Sequence, residues 1–252
     1  MGKLENRVAI VTGASSGMGK EIARLFAQEG ASIVAVARHK EKLQDAINEI
    51  TAKGGRAIAV SGDVSKEEDI QNAVKAAMEQ YGRLDIVINN AGLMDKMAPV
   101  GEMDDATWNE ILDVNLTGPM RLFRAAIPIF LKQGKGVFVT TASVGGLFGC
   151  RAGTAYTASK HGVIGLAKNV GYMYAKKGIR SNIIAPGGVN TDITRGIQLN
   201  PEGAALCGSG LVTNPRIGEP SEIARVALFL ASDDSSFINA ATIVADAGWS
   251  AY

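Results

Sequence analysis

Short apolar runs alternate with amphipathic stretches along most of the chain. Positions 7–11, Arg-Val-Ala-Ile-Val, predict a strand. From 17 to 29, Ile22, Leu25 and Phe26 recur at helical spacing, and Gly30 closes the element. The rhythm then repeats. Strands are predicted at 32–37, 57–61 and 84–89, separated by a helix at 41–53, which Gly54-Gly55 stops, and another at 66–81. A long helical pattern from about 105 to 132 contains Pro119 and Pro128, which should bend it. A strand at 136–141, a helix at 155–177 ended by Gly178 and a strand at 179–185 follow. A helix at 221–231 and a strand at 241–245 finish the series. Strands that are apolar throughout are buried on both faces. The expected fold is α/β: one doubly wound parallel sheet with helices on both faces, spanning 1–252 as a single domain.

One stretch breaks the rhythm. Positions 187–216 carry few periodic signals and are rich in Gly, Asn, Thr and Pro. An irregular insert at the carboxyl end of a strand is usually functional, and 192–211 is expected to be a substrate lid. Val144, Gly145, Leu147, Phe148 and Cys150 should share that pocket with it. This largely apolar lining favours a hydrophobic or medium-sized ketone.

Composition narrows the function classes. Of the 252 residues, 46% are hydrophobic and 20% charged, with a formal net charge of +1. That balance offers no electrostatic footprint for nucleic acid or an anionic membrane. No apolar run reaches membrane-spanning length, and the first residues lead into a strand without a signal-peptide core, so a cytoplasmic location is expected. The two cysteines, Cys150 and Cys207, lack metal-ligand spacing and should be reduced thiols. With His39 and His161 as its only histidines, the chain is not expected to hold a metal.

Two clusters carry chemistry. Thr12-Gly13-Ala14-Ser15-Ser16-Gly17-Met18-Gly19 joins the first strand to the first helix. Glycines there let the backbone turn sharply and approach a pyrophosphate, while the helix N-terminus supplies free N–H groups. In the second cluster, Tyr156 and Lys160 stand one helical turn apart, with Ser143 thirteen residues before the tyrosine. A free phenol has a pKa of about 10, so acid–base work at neutral pH requires a shift worth on the order of 4 kcal/mol. An ammonium one turn away is expected to pull the pKa down.

Together these residues resemble the short-chain dehydrogenase/reductase family over essentially the whole chain. Thr12 to Gly19 is similar to its Thr-Gly-x-x-x-Gly-x-Gly loop, and Asn89-Asn90-Ala91-Gly92 to its Asn-Asn-Ala-Gly segment. Asn115, Ser143, Tyr156 and Lys160 follow the order and spacing of its catalytic tetrad. The resemblance implies a Rossmann-type fold and a hydride-transfer enzyme interconverting a carbonyl and an alcohol. Tyr156 would be the acid–base, Lys160 would lower its pKa and bind the nicotinamide ribose, Ser143 would bind the substrate oxygen, and Asn115 would hold a water. It also implies cofactor contacts at Gly13, Ser15, Ser16, Gly17, Met18, Gly19, Asn90, Ala91, Gly92, Tyr156, Lys160, Pro186, Gly187, Val189 and Thr191. Asp63 and Val64 would touch the adenine, although Asp63 could equally be an N-cap-like residue before the helix at 66.

Cofactor choice is read at the end of the second strand. A carboxylate there would favour NAD; this chain has Ala37, followed by Arg38 and His39. A guanidinium suits a 2′-phosphate, so NADP(H) is expected over NAD(H), unless Arg38-His39-Lys40 is only a solvated run. Ser16 stands where some NADP-preferring relatives carry a basic residue. Ala247 stands where relatives often have glycine, and Thr140-Thr141-Ala142 replaces a more usual Asn-x-Ser. The likeness is greatest to the 3-oxoacyl-carrier-protein reductase-like and glucose 1-dehydrogenase-like branches, whose members usually form homotetramers. An NAD-dependent hydroxysteroid or sugar alcohol dehydrogenase is the alternative enzyme. A nucleotide-sensing regulator without catalysis is the alternative from another class, and the intact Tyr156–Lys160 pair argues against it.

Overall fold

In the computed structural model, which describes residues 2–251, the apolar runs become seven strands. They are β1 (Val8–Thr12), β2 (Ser32–Ala37), β3 (Arg56–Ser61), β4 (Ile86–Asn89), β5 (Gly136–Thr141), β6 (Ile179–Pro186) and β7 (Thr242–Ala245). All neighbours pair in parallel, in the order β3-β2-β1-β4-β5-β6-β7. Every residue of β1, β2, β4 and β5 is buried, which explains why these runs lack alternation. The edge strands β3 and β7 are only partly buried.

Helices cover both faces of the sheet. On one side α1 (Gly17–Gln28), α2 (Lys40–Ala52) and α8 (Pro220–Ala231) press Ile22, Phe26, Leu43, Ile47 and Leu228 against the strands. On the other, α3 (Glu67–Tyr81), α5 (Gly118–Gln133) and α6 (Thr154–Tyr174) contribute Ile70, Val74, Phe123, Phe130 and Val163. Phe138 of β5 anchors that second core, its ring 4.6 Å from Phe123 and 4.8 Å from Phe130. Truncating such a side chain costs about 3–5 kcal/mol. The chain is thus a single Rossmann-type domain, as its apolar rhythm indicates.

Two expectations need correction. The helical pattern from 105 to 132 is not one unbroken α-helix. It divides into α4 (Asp105–Leu112), one wide π turn at Asp113–Thr117, and α5. Pro119 lies in the first turn of α5, directly after that wide turn, and Pro128 lies inside the helix. The extra residue in the wide turn carries Asn115 inward to 1% exposure, and such turns are frequent at functional sites. Nor is the segment 187–216 wholly irregular: it contains α7 (Pro201–Ser209). Asn200 caps that helix, its side chain accepting from the Gly203 N–H at 2.9 Å, and Pro201 opens it. The apolar residues Ala204, Ala205, Leu206 and Cys207 run consecutively, so they give no stripe for a period search to find.

The strand order reverses between β1 and β4. In open sheets of this kind the ligand crevice lies at that switch point, outside the carboxyl ends of the strands.

Candidate active site

The crevice begins where β1 stops. Thr12 ties β1 to β4: its Oγ1 accepts from the N–H groups of Asn90 (2.9 Å) and Ala91 (3.1 Å) and donates to the Ile88 carbonyl (3.1 Å). Asn90 Nδ2 returns a bond to the Thr12 carbonyl at 3.0 Å. Gly13 and Gly17 adopt φ of +68° and +51°, a region that penalises other residues. A Cβ on Gly19 would run into the Gly13 carbonyl. Ser16 is the N-cap of α1, yet its side chain makes no capping bond, so first-turn N–H groups face the crevice.

A cavity of about 830 Å³ opens there. It brings together Gly13, Ser15, Ser16, Gly17, Met18, Arg38, His39, Asp63, Val64, Asn90, Ala91, Gly92 and Thr191. Lys42, in the first turn of α2, also lines it and was not singled out from sequence. Gly19, Asn115, Ser143, Tyr156, Lys160, Pro186, Gly187 and Val189 are not among its lining residues. Pro186 ends β6, while Val189 packs against the core and sits in a backbone bridge with Gly218. The glycine turn, the free helix N-terminus and a cationic rim without a carboxylate at Ala37 fit a dinucleotide. Asp63 has a structural task as well. Its Oδ1 accepts from Ser65 N (2.9 Å) and Ser65 Oγ (2.8 Å). Partial burial pushes its carboxyl up, but these bonds and the Arg38 charge outweigh that and hold it below its usual value.

At the inner end, four side chains converge from three elements. Ser143 follows β5, and its Oγ accepts from Gly145 N at 3.0 Å. Tyr156 sits in the first turn of α6, with Lys160 one turn on; they are 6% and 4% exposed. Lys160 Nζ donates to the Thr141 carbonyl at 3.0 Å and lies 5.4 Å from the centre of the Tyr156 ring. Asn115 is pinned by Leu93: its Oδ1 accepts from Leu93 N (2.8 Å), and its Nδ2 donates to Leu93 O (2.9 Å) and Ser159 Oγ (3.1 Å). A Cβ on Gly92 would lie 3.3 Å from Asn115 Oδ1 and 3.5 Å from Lys160 Nζ, so the cluster adjoins the cavity at that glycine.

The electrostatics differ from the expectation of a phenol pulled toward neutrality. Burial pushes Tyr156 up to about 12, with the Ser143 hydrogen bond opposing and the Asp95 charge adding to the rise. Burial also pulls Lys160 down to about 8. The lysine head serves the Thr141 carbonyl, and desolvation outweighs its effect on the phenol.

Asp95 was missed by the sequence reading. It is 1% exposed, and its Oδ2 accepts from the backbone N–H of Tyr156 at 2.9 Å. No motif marks it; the only signal is a lone carboxylate in Leu93-Met94-Asp95-Lys96-Met97.

Relatives of known activity agree with this geometry. Residues 13–250 match a family model described as Enoyl-(Acyl carrier protein) reductase. The chain is 43% identical over 251 residues to 3β-hydroxysteroid dehydrogenase 2 of Eggerthella lenta, covering 99% of this chain and 96% of that protein. The chain is a short-chain dehydrogenase/reductase. It is also 36% identical over 246 residues to a 3-oxoacyl-[acyl-carrier-protein] reductase of Thermotoga maritima, covering 98% of each. The crystal structure of levodione reductase superimposes with a TM-score of 0.92 at 36% identity, covering 99% of this chain and 100% of that one. The protein is therefore an NAD(P)-linked oxidoreductase of alcohol and carbonyl groups.

The other sequence observations resolve as follows. In this dehydrogenase/reductase, Ala247 adopts φ +58°, the left-handed conformation for which glycine is the easier residue. Cys150 is exposed, and Cys207 is buried on α7 with its thiol 3.6 Å from the Ala152 carbonyl. Val144 and Gly145 are buried, whereas Phe148, Leu206 and Leu211 are large and exposed. Asp192, Ile193 and residues 195–198 line the cavity. Among the described residues, no cluster of His, Cys, Asp and Glu could hold a metal ion, and no helix is long and apolar enough to cross a membrane.

Proposed function

We propose that this protein is an NADP(H)-dependent carbonyl reductase and alcohol dehydrogenase for apolar, medium-sized ketones. The observation that carries the reading is one cavity with two unlike ends. Buried Asn115, Tyr156 and Lys160, with half-buried Ser143, form a cluster that adjoins its inner end. Arg38, His39 and Lys42 line its outer end, with Ala37 where a carboxylate would favour NAD. The nicotinamide, when bound, supplies the hydride.

The chain's own residues do the rest. Tyr156 gives its hydroxyl proton to the substrate oxygen in reduction and takes it back in oxidation. Ser143 hydrogen-bonds that oxygen as charge develops on it. Lys160, buried near the ring and held by the Thr141 carbonyl, favours the ionised phenol whenever it carries its proton. Asn115 positions the segment at Leu93 that borders both. Arg38 meets the 2′-phosphate, with Lys42 beside it, and Asp63-Val64 border the adenine. Pro186, Gly187 and Val189, outside that lining, are read as cofactor contacts from the family resemblance alone. The segment 192–211 is a lid over cofactor and substrate, supported by its place along the cavity and by exposed Leu206 and Leu211.

Exposed Tyr172 and Met173 on α6, Phe229 on α8 and Val244 on β7 support assembly as a homotetramer, in the cytoplasm. A 3β-hydroxysteroid is the second substrate reading, favoured by the 43% identity to the Eggerthella lenta enzyme. Initial rates on a panel of cyclic ketones, steroid ketones and sugars, each with NADPH and NADH, test all of this. Turnover of an apolar ketone with NADPH is the expected result. Turnover of sugars alone, or only with NADH, contradicts it.

A further inference from the structure

We propose that Asp95 is a positioning residue for Tyr156: its buried carboxylate caps the tyrosine's helix from outside and sets a negative charge against the backbone of the acid–base. The inference rests on Tyr156 being the acid–base.

The geometry begins with a missing cap. The N-cap of α6 is Gly153, which has no side chain to offer the free N–H groups of the first turn. Tyr156 is the third residue of that helix, the position whose N–H an N-cap side chain would take. Asp95, sixty-one residues earlier in the loop after β4, takes it instead at 2.9 Å through Oδ2. Its Oδ1 accepts from Met97 N at 3.0 Å. Gly153 is what makes room, since a Cβ there would run into that same Oδ1. The capping bond and its carboxylate therefore depend on a glycine at the N-cap. A carboxylate 1% exposed needs such partners, and the positive end of α6 adds to them.

The carboxylate is bonded to the tyrosine's backbone, and its charge acts on the phenol through space. Lys160 approaches the ring from the same helix, and Ser143 from the end of β5. Gly145 packs between the Tyr156 ring and Arg151 Cβ, but the Arg151 guanidinium stacks on Trp249 at 4.2 Å and reaches the Gly210 carbonyl. Burial holds the nearby Cys207 thiol protonated, up to about 11, with the Cys150 and Asp95 charges adding to the rise. Asp95 is therefore the anion that adds to the effect of burial at this tyrosine, against the Ser143 hydrogen bond. The same loop docks the lid helix. Asn200 N donates to the Lys96 carbonyl at 2.7 Å, and a Cβ on Gly203 would run into the Met97 carbonyl. One short segment thus orients both the acid–base and α7.

Asp95→Asn keeps an acceptor for the Tyr156 N–H but removes the charge. In oxidation of a 3β-hydroxysteroid with NADP+, the acid limb of kcat/KM should move to lower pH by about one unit. Asp95→Ala loses the cap too, and kcat should fall about tenfold or more while KM for NADP+ holds. Tyrosinate absorbance, read as the difference between Asp95→Asn and Asp95→Asn/Tyr156→Phe, should show the same downward shift without any substrate. That readout keeps the proposal testable if the alanine variant fails to fold or the steroid is not turned over. Full turnover in Tyr156→Phe would remove the premise. A tyrosinate titration unmoved by Asp95→Asn would overturn the role of Asp95 itself.

Discussion

The two ends of the dinucleotide cavity solve different problems with different materials. At the outer end, Arg38 and His39 are exposed and lie beside a glycine turn built from backbone. At the inner end, Tyr156, Lys160 and Asn115 are buried, and each is held by hydrogen bonds or packing from a distant segment. Exposed charges act weakly and through geometry; buried charges act strongly, and desolvation itself moves their proton affinities. The outer end is therefore suited to choosing a ligand. The inner end is suited to moving a proton. Tyr156 at about 12 and Lys160 at about 8 show how far burial displaces both groups from their ordinary values.

The largest expected effect lies at the inner end. Tyr156→Phe should lower turnover by about a hundredfold to ten-thousandfold, the range of general acid–base catalysis. Its affinity for NADPH, read by fluorescence titration, should stay close to wild type. Loss of binding with retained turnover would reverse the roles assigned to the two ends.

At the outer end the expected changes are smaller and of opposite sign for two substitutions. Arg38→Ala should weaken NADPH by about 1.5–3 kcal/mol and leave NADH nearly unchanged. Ala37→Asp should repel the 2′-phosphate and give NADH a ribose acceptor, raising its relative kcat/KM. The check is kcat/KM with both cofactors in all three proteins. An unchanged ratio in Arg38→Ala would reduce that guanidinium to a solvated surface charge.

The proposed lid joins the inner end through the Asp95 loop. Gly203→Ala should push α7 off the Met97 carbonyl at a cost of about 1–3 kcal/mol. The expected readouts are a raised substrate KM, faster hydrogen exchange across 192–211, and unaltered NADPH discrimination at Arg38. Unperturbed exchange and KM would mean that α7 is not docked there.

A further effect is on stability against pH. Lys160 is held at about 8 when folded, against 10.5 when free. Between those values the unfolded chain binds more protons, so stability should rise as pH increases through that window. Lys160→Met should flatten this rise, which denaturant titrations at a series of pH values would detect. Tyr156 acts in the other direction at higher pH. Its folded value of about 12 exceeds the ordinary 10, so stability should fall as pH climbs between them.

How much of this was legible from the chain divides along the same line. Strands buried on both faces advertise themselves as unbroken apolar runs, and the glycine turn is local, so sheet and loop could both be read directly. Tyr156 and Lys160 are one turn apart and were equally visible. The π turn at Asn115 was not, because one additional residue in a turn leaves apolar spacing almost unchanged. Asp95 was hidden because its partner is sixty-one residues away. The direction of the Tyr156 shift was misread for a related reason. Spacing reports which charge is near, but only packing reports how much water is lost.

The division of labour between the ends is tested most directly by one double-mutant cycle: wild type, Arg38→Ala, Tyr156→Phe and the double variant, each measured for NADPH Kd and for kcat on one accepted ketone. Distant, unlinked sites should combine within about 0.5 kcal/mol. The expected result is a Kd set by Arg38 alone, a kcat set by Tyr156 alone, and a double variant showing both losses in full. A Kd that follows Tyr156, a kcat that follows Arg38, or a strong coupling between them would contradict the account.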